Sequence, residues 1–541
     1  MNKKKAFQIF IFILLISWYG LFLFNKIDLT TADLGRHIKN GELVLGGDFG
    51  ILKSNFYSYT EPNCPVINHH WGGGVIFYSI WKTTGFAGLS FFYFILSLFI
   101  FYLFFRIAQK ESNFSIAFIV SLLVIPLIAQ RTEIRPEIFS YLLIALFFWI
   151  LWSWRKKKIS YKWLFVLPIL EIFWVNIHIY FIFGPALVGL FLVAGLIKAL
   201  HFKPRLDEYI LPPSERKNVA LKARLVIVLS YFFRGTASKL GLTLILTSLA
   251  TLINPFFIKG VLEPFNIFKN YGYRIVENQS VWFLQNLGVV NNPNLILYEI
   301  VFSILVLSFI AVLILKRKRF SFIYFCLAVV WSILGWLAIR NFTMFGLFAL
   351  PIIAYNIKNS LYKKIKFKSF NAKIFFVFMS LTLFLIIFVN YQQKLPLDKW
   401  RFGLGLMLEN NQSAQFFRDN NIKGPVFNNY DIGGYLIYHF YPQEKVFTDN
   451  RPEAYSISFF EDIYIPSQQN DSIWQKQIEV YDFNAIFFSH RDYTPWGQNF
   501  LIERVQDPDW AVVFIDQYAI IFLKRNNINE QIIEKYEILW E

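Results

Sequence analysis

Charge is what this sequence has least of. Only 16% of its 541 residues are charged, against 56% hydrophobic and 20% aromatic, and the mean hydropathy is +0.43. That composition excludes an ordinary soluble domain. Cysteine is almost absent. Cys64 falls in the first long loop and Cys326 inside an apolar run, so neither a disulfide framework nor a cysteine metal site is available. No small-residue cleavage site follows the basic N-terminal start, which is therefore expected to be an uncleaved first helix rather than a signal peptide. Internal repeats and low-complexity stretches are also lacking.

Apolar length takes the place of charge. Residues 89–105 and 375–389 carry no charge and are long enough to cross a bilayer core of ~30 Å. The net charge of +17 could suggest nucleic acid. The basic residues, however, cluster in short loops: Lys3-Lys4-Lys5, Arg155-Lys156-Lys157-Lys158, Lys316-Arg317-Lys318-Arg319, and Lys363-Lys364 with Lys366 and Lys368. This positive-inside pattern sets orientation in a lipid bilayer and argues against a nucleic-acid partner.

The same pattern predicts about eleven spans. They fall at residues 6–24, 87–105, 114–130, 137–153, 163–177, 180–198, 237–253, 297–315, 320–338, 342–357 and 372–391. The N-terminus is then cytoplasmic, and an odd number of spans leaves the C-terminal segment outside. Residues 222–240 are apolar over a short stretch and interrupted by Arg234 and Lys239, which predicts an interfacial helix. Residues 1–391 thus read as a multi-pass domain of the plasma membrane with a large first outer loop, 25–86. From 392 to 541 the composition becomes that of a soluble, extracytoplasmic α/β domain. Strands are predicted at 425–427, 445–447 and 485–489, a helix at 434–440, and a hairpin at 510–515 and 519–524. The predicted fold is mainly α, a transmembrane helical bundle with a C-terminal α/β domain.

Polar residues that are costly at membrane depth collect on the predicted outer side. Asp33 comes first. A carboxylate there can take the proton of an attacking hydroxyl, and His37, four residues on, would share its face of a helix. The alternative is that Asp33, after Thr30-Thr31-Ala32, only caps a short helix. Arg36 lies between them. His69-His70-Trp71 follows in the same loop, suited to hydrogen bonding a sugar or phosphate with Trp71 stacking on a sugar face. A metal site would need a further ligand such as His37 or His178. Gly72-Gly73-Gly74 is not a phosphate loop, because no strand precedes it and no Lys-Ser/Thr follows.

Arg131, Arg135 and Arg340 are anion-binding candidates, since guanidinium pairs phosphate in bidentate fashion; the alternative is arginines that anchor helix ends. Asn176 and His178 occupy a turn between spans and either touch substrate or satisfy backbone groups. Asn341 adjoins Arg340. Glu277 is a second candidate carboxylate, and Glu133 and Glu137 read as structural.

These segments resemble the GT-C superfamily, polytopic glycosyltransferases that use polyprenyl-phosphate sugars and include the protein O-mannosyltransferase and lipid A aminoarabinose transferase groups. The resemblance extends to bacterial members whose activity is not characterised. It rests on residues 33–41, Asn68-His69-His70-Trp71, Arg135-Pro136-Glu137-Ile138-Phe139-Ser140, Trp174-Val175-Asn176-Ile177-His178 and Arg340-Asn341. In the C-terminal domain it rests on residues 427–435 and on Phe447-Thr448-Asp449-Asn450-Arg451.

It implies Asp33 as catalytic base, inversion at the sugar carbon, a polyprenyl-phosphate sugar donor, and a glycan, lipid or protein acceptor. No cofactor is implied, and a divalent metal has no sequence support. Two departures stand out. Asp33 is followed by Leu34, where many members carry a second acid. His69-His70-Trp71 replaces the His-Glu-Trp of related chains. Two other readings stay open: a transporter or flippase of a lipid-linked or anionic solute, and a non-catalytic envelope assembly protein.

Overall fold

The computed structural model describes residues 3–200, 235–288, 292–360, 402–492 and 494–539. The helices that follow the apolar runs are α1 (Lys3–Leu23), α2 (Leu34–Leu45), α3 (Trp71–Glu111), α4 (Phe114–Ile128), α5 (Glu137–Arg155), α6 (Val166–Val175) and α7 (Phe183–Leu200). After them come α8 (Thr236–Ala250), α9 (Pro293–Lys316), α10 (Phe322–Leu337) and α11 (Phe342–Ser360).

Five stretches are long and apolar enough to cross a membrane: Lys5–Leu23, Trp71–Glu111, Glu137–Arg155, Ile179–Ile197 and Pro293–Arg319. Ile13, Phe91, Phe99, Ile245, Leu307 and Ile314 point outwards from this bundle and are exposed. A band of large apolar side chains on an outer surface matches lipid rather than water as solvent. This is a multi-pass membrane protein. The eleventh predicted span, 372–391, and most of the predicted interfacial segment 222–240 lie outside the described residues.

Helix α11 is buried on nearly every side and packs against α3, α4, α9 and α10. A helix that is apolar all round belongs in a core, and this one is the axis of the bundle. The predicted first loop is shorter than 25–86, because α3 already begins at Trp71. The helix is kinked at Gly85 (φ 66°), which divides a first portion from the apolar run that follows. The triple glycine serves helix contact. A Cβ on Gly41 of α2 would stand 2.1 Å from the Gly74 carbonyl of α3, so the two helices cross in direct backbone contact.

The C-terminal region forms a four-stranded sheet of order β1-β2-β4-β3, with β1 (Val426–Asn428), β2 (Ala485–Phe488), β3 (Trp510–Ile515) and β4 (Ile520–Lys524). β1 and β2 are parallel, and the other pairs antiparallel. The strand predicted at 445–447 is only a pair of isolated bridges, in which Val446 meets Val426 and Ser58. Each partner, Val426 of β1 and Ser58 of the first loop, contributes one bridge, too little to build a ladder. Phe427 sits at the centre of an aromatic core with Phe447, Trp474, Phe483 and Phe500.

This region does not stand apart from the bundle. Helix α12 (Gly433–Phe440) lies on α2, where Gly35 faces the Gly434 carbonyl and the Tyr438 side chain. Asp28, just ahead of α2, is buried. It forms an ion pair with Arg491 at 2.7 Å and accepts from Asn410 at 3.1 Å.

Candidate functional site

The starts of α2, α3 and α5, the turns after α6 and α10, and the turn 276–278 all point into one polar cavity. The turn 449–454 of the C-terminal region closes it. The cavity is about 130 Å³ and is lined by Asp33, Arg36, His37, His69, His70, Arg135, His178, Glu277 and Arg340 of the sequence candidates, with Glu137, Glu263, Tyr271, Asn278, Asn450 and Glu453.

Trp71 and Asn176 are not in its lining. Trp71 donates its indole N–H to Asn176 Oδ1 at 3.2 Å, and Asn176 donates to the carbonyls of Ile172 and Ile253 at 2.8 Å. Both side chains are spent on closing helix ends, which is the structural alternative for Asn176; a sugar-stacking Trp71 is not what the geometry offers. Arg131 lies behind the cavity and borders a smaller void of about 70 Å³. Asn341 is buried, accepts from the Tyr180 hydroxyl at 3.1 Å, and lines a larger cavity instead.

Asp33 occupies the N-cap position of α2 but does not cap it. Its backbone is helical (φ −64°, ψ −6°) and its side chain makes no capping hydrogen bond, whereas a capping aspartate takes extended angles and accepts from the following turn. The carboxylate turns into the cavity instead. Oδ1 accepts a short hydrogen bond from Asn450 Nδ2, and Oδ2 lies 3.8 Å from Arg135.

The arginines arrive already partnered. Arg131 pairs with Glu137 at 3.0 Å and with Glu277. Arg135 pairs with Glu133 at 2.7 Å and Glu277 at 2.9 Å. Arg340 pairs with Glu137 at 2.7 Å and donates to Asn278 at 2.9 Å. Burial opposes ionisation of Glu277, but Arg135, Arg131 and Arg340 outweigh it and hold its carboxyl at about 2. Glu277 is therefore an arginine partner rather than a free acid.

Arg36 differs from these. It is buried, its Nε donates to Asn450 Oδ1 at 3.0 Å, and among the described residues no carboxylate lies within 4.0 Å of it. Nε of Arg135 and of Arg340, and Nδ1 of His37 and of His70, are buried with no hydrogen-bond partner among the described residues. Unsatisfied polar atoms of this kind are uncommon and gather where a ligand binds.

Three imidazoles cluster around that of His70, with His37 at 5.6 Å, His69 at 4.1 Å and His178 at 4.9 Å between ring centres. Burial, with Arg36 and other cationic neighbours, holds His37 and His70 well below the ordinary histidine value. Burial holds His69 at about 4. His37, His69 and His70 are neutral at physiological pH and offer hydrogen bonds, not charge. Asp33 has Asn450 and the cationic Arg135 as neighbours, and among the described residues no three His, Cys, Asp or Glu side chains are placed to hold a metal ion.

Three acids went unremarked in the sequence. Glu263 and Glu453 line the cavity. Asp431 lies nearby, and burial, then Asp492, Asp33 and Glu133, push its carboxyl up to about 7. Only Asp431 carried a signal, as part of the segment 427–435; Glu453 lies two residues beyond the segment ending at Arg451.

Asp431 gives a sign-specific test. Its folded-state pKa is above the ordinary carboxyl value, so the folded chain binds the extra proton and stability falls as the pH rises through about 7. Asp431→Asn should therefore raise the melting temperature by a few degrees at pH 8.5 and leave it unchanged below pH 4. An equal difference at both values would refute the burial account.

The polar cavity adjoins the larger one, of about 470 Å³, with which it shares Ile179, Tyr271, Ile275, Asn278 and Arg340. Ile182, Phe183, Phe265, Leu334 and Ala338 give this second cavity a mostly apolar wall at the ends of α7 and α10, with Lys269 and Arg274 also in its lining.

Bundle, sheet domain and adjoining cavities together define a multi-pass membrane protein of GT-C-like fold. Three solved structures of one enzyme share it: the oligosaccharyltransferase of Archaeoglobus fulgidus. They are AglB with an inhibitory peptide and dolichol-phosphate (TM-score 0.57, 12% identity, covering 93% of this chain and 71% of that one), the apo form (0.57, 12%, 94% and 73%), and the form tethered to an acceptor peptide through a disulfide (0.57, 11%, 97% and 74%). At these identities the likeness is one of fold. No protein-family model matches the sequence, and no curated protein does.

Proposed function

We propose that this chain is a glycosyltransferase that moves a sugar from a polyprenyl-phosphate donor to an acceptor hydroxyl at the outer face of the plasma membrane. The observation that carries the reading is the junction of the two cavities. A carboxylate and a guanidinium without a carboxylate partner among the described residues share the polar one, and it adjoins a mostly apolar one of about 470 Å³. Pockets of about 300–1,000 Å³ are the usual size for a bound small molecule. A solved structure of the same fold holds dolichol-phosphate, and the positive-inside pattern supports the outer face.

In this reading the isoprenoid lies along Phe183 and Leu334, and its phosphate reaches Arg36 and Arg340. The acceptor oxygen attacks the anomeric carbon while the bond from that carbon to the phosphate oxygen breaks. The hydroxyl proton passes to Asp33, and the bond electrons leave with the polyprenyl phosphate, whose charge the guanidiniums stabilise. A single displacement inverts the anomeric carbon. The neutral histidines orient sugar and phosphate oxygens. The acceptor is a glycan, a lipid or a protein.

The test is release of polyprenyl phosphate from a panel of decaprenyl-phosphate hexoses and pentoses, with the full-length protein in nanodiscs and sugar alcohols as acceptors. Release above the rate in empty nanodiscs supports transfer. Absence of release across the panel, with movement of the intact donor across proteoliposome membranes, would favour transport instead. Arg36→Ala should weaken decaprenyl-phosphate binding at least about tenfold, the size of one charge-assisted hydrogen bond. Unchanged affinity would remove Arg36 from the phosphate site.

A further inference from the structure

The C-terminal domain reaches the reacting end of the cavity through the amide of Asn450. Its Nδ2 donates to Asp33 Oδ1, and its Oδ1 accepts from Arg36 Nε at 3.0 Å. The orientation of that amide follows from chemistry, since a guanidinium only donates. The carbonyl must face Arg36, so the NH₂ faces Asp33, and the oxygen it meets there must accept, as an ionised carboxylate does.

The segment carrying Asn450 is anchored on both sides. Asp449 and Arg451 are buried and paired at 2.7 Å. Arg451 also donates to Asn55 Oδ1 at 2.6 Å, and Asn55 Nδ2 returns a bond to the Ala454 carbonyl at 2.9 Å. On the opposite side, a Cβ at Gly433 would stand 2.4 Å from the Thr448 carbonyl and 2.5 Å from the Asp449 Cα. Such packing leaves the turn little freedom, and the amide inherits that rigidity.

We propose that Asn450 is the positioning residue of the transfer site: its amide engages one oxygen of Asp33, leaves the other to face the acceptor, and links this carboxylate to Arg36. The C-terminal domain is then part of the reaction centre and not only a docking module. The inference rests on Asp33 acting as the base.

Asn450→Asp is the decisive variant, because it keeps shape and replaces the donor with a second carboxylate against Asp33. Two carboxylates in contact share a proton and release it only at higher pH. The other charged groups around Asp33 are the same in both proteins: Arg36 and His37 on its own helix, Arg135 and Glu133 before α5, Glu277 in the turn 276–278, and Asp431 and Glu453 in the C-terminal domain.

The primary readout needs no substrate. Dicyclohexylcarbodiimide labels protonated carboxyls, and its attachment at Asp33 in the full-length protein in nanodiscs is followed by peptide mass spectrometry from pH 4 to 9. The midpoint should move up by one pH unit or more in Asn450→Asp, and the acidic limb of donor turnover should move with it. A midpoint equal to that of the unsubstituted protein overturns the proposal, as does a turnover limb that stays in place when the labelling moves. If Asn450→Asp fails to fold, Asn450→Ser takes its place. A serine hydroxyl is too short to serve both partners, so turnover should fall at least tenfold with donor KM changed less, and unchanged turnover overturns the proposal. Lack of turnover by the unsubstituted protein with every donor tells against the transferase reading, whatever the labelling shows.

Discussion

Asp33→Asn should lower transfer by between about 10² and 10⁴, the usual contribution of a positioned general base, while leaving donor affinity within a few-fold. The amide keeps the volume of the carboxylate, and its oxygen can still accept from Asn450 Nδ2, so the cavity should hold its shape. What it loses is the ability to take the acceptor proton. The substitution separates a base from a binding group, because a lost binding contact would raise KM and leave kcat in place. The measurement is initial-rate release of polyprenyl phosphate by folded, monodisperse protein, with donor binding measured on the same preparation. Undiminished turnover in Asp33→Asn would remove Asp33 from the chemistry and leave its placement without an explanation.

The largest loss of stability should come from Glu137. Its side chain is only 6% exposed, and it accepts from Arg131 at 3.0 Å, Arg340 at 2.7 Å and the Tyr141 hydroxyl at 3.1 Å. Removing one side of a buried ion-pair network leaves the other charges buried and uncompensated, which typically costs about 3–5 kcal/mol. Glu137→Ala takes a carboxylate from two guanidiniums at once, leaving Arg340 with none among the described residues and Arg131 with Glu277, and should fall in that range in reversible unfolding from detergent. Glu277→Ala should cost less, since that side chain is 24% exposed and water can reach the arginines it leaves. The order Glu137 before Glu277 is the checkable content. The reverse order would show that the network is held together from the turn 276–278 rather than from α5.

How far the sequence reached differs from residue to residue. Each predicted span from 6–24 to 342–357 overlaps a helix, because apolar length and basic flanks are local properties that lipid and charge read directly. Strands β1 to β4 are legible as short apolar runs bounded by turns, whereas the similar run 445–447 forms no strand, since a strand exists only if its neighbour offers a ladder. The gathering of Asp33, Arg36, His37, His70, Arg135 and Arg340 around one cavity follows from their shared side of the bundle. Trp71 and Asn176 hydrogen-bond each other outside the cavity lining, a pairing across 105 positions that nothing local encodes.

The sequence offers Arg131, Arg135 and Arg340 as anion-binding candidates or as anchors of helix ends. Their pairing with Glu137 and Glu277 joins side chains 6, 142, 146 and 203 positions apart, a relation that spacing does not encode.

By itself, then, the sequence determined the solvent of this protein, the side on which its polar residues meet, and the carboxylate at their centre. The reason is that hydropathy and charge act residue by residue. Tertiary structure alone decided what surrounds that carboxylate. It paired most of the cavity's arginines with acids, left Arg36 without one among the described residues, and brought Asn450 across 417 positions to bind Asp33. Those are contacts between distant segments, set by how the first loop and the C-terminal domain pack together.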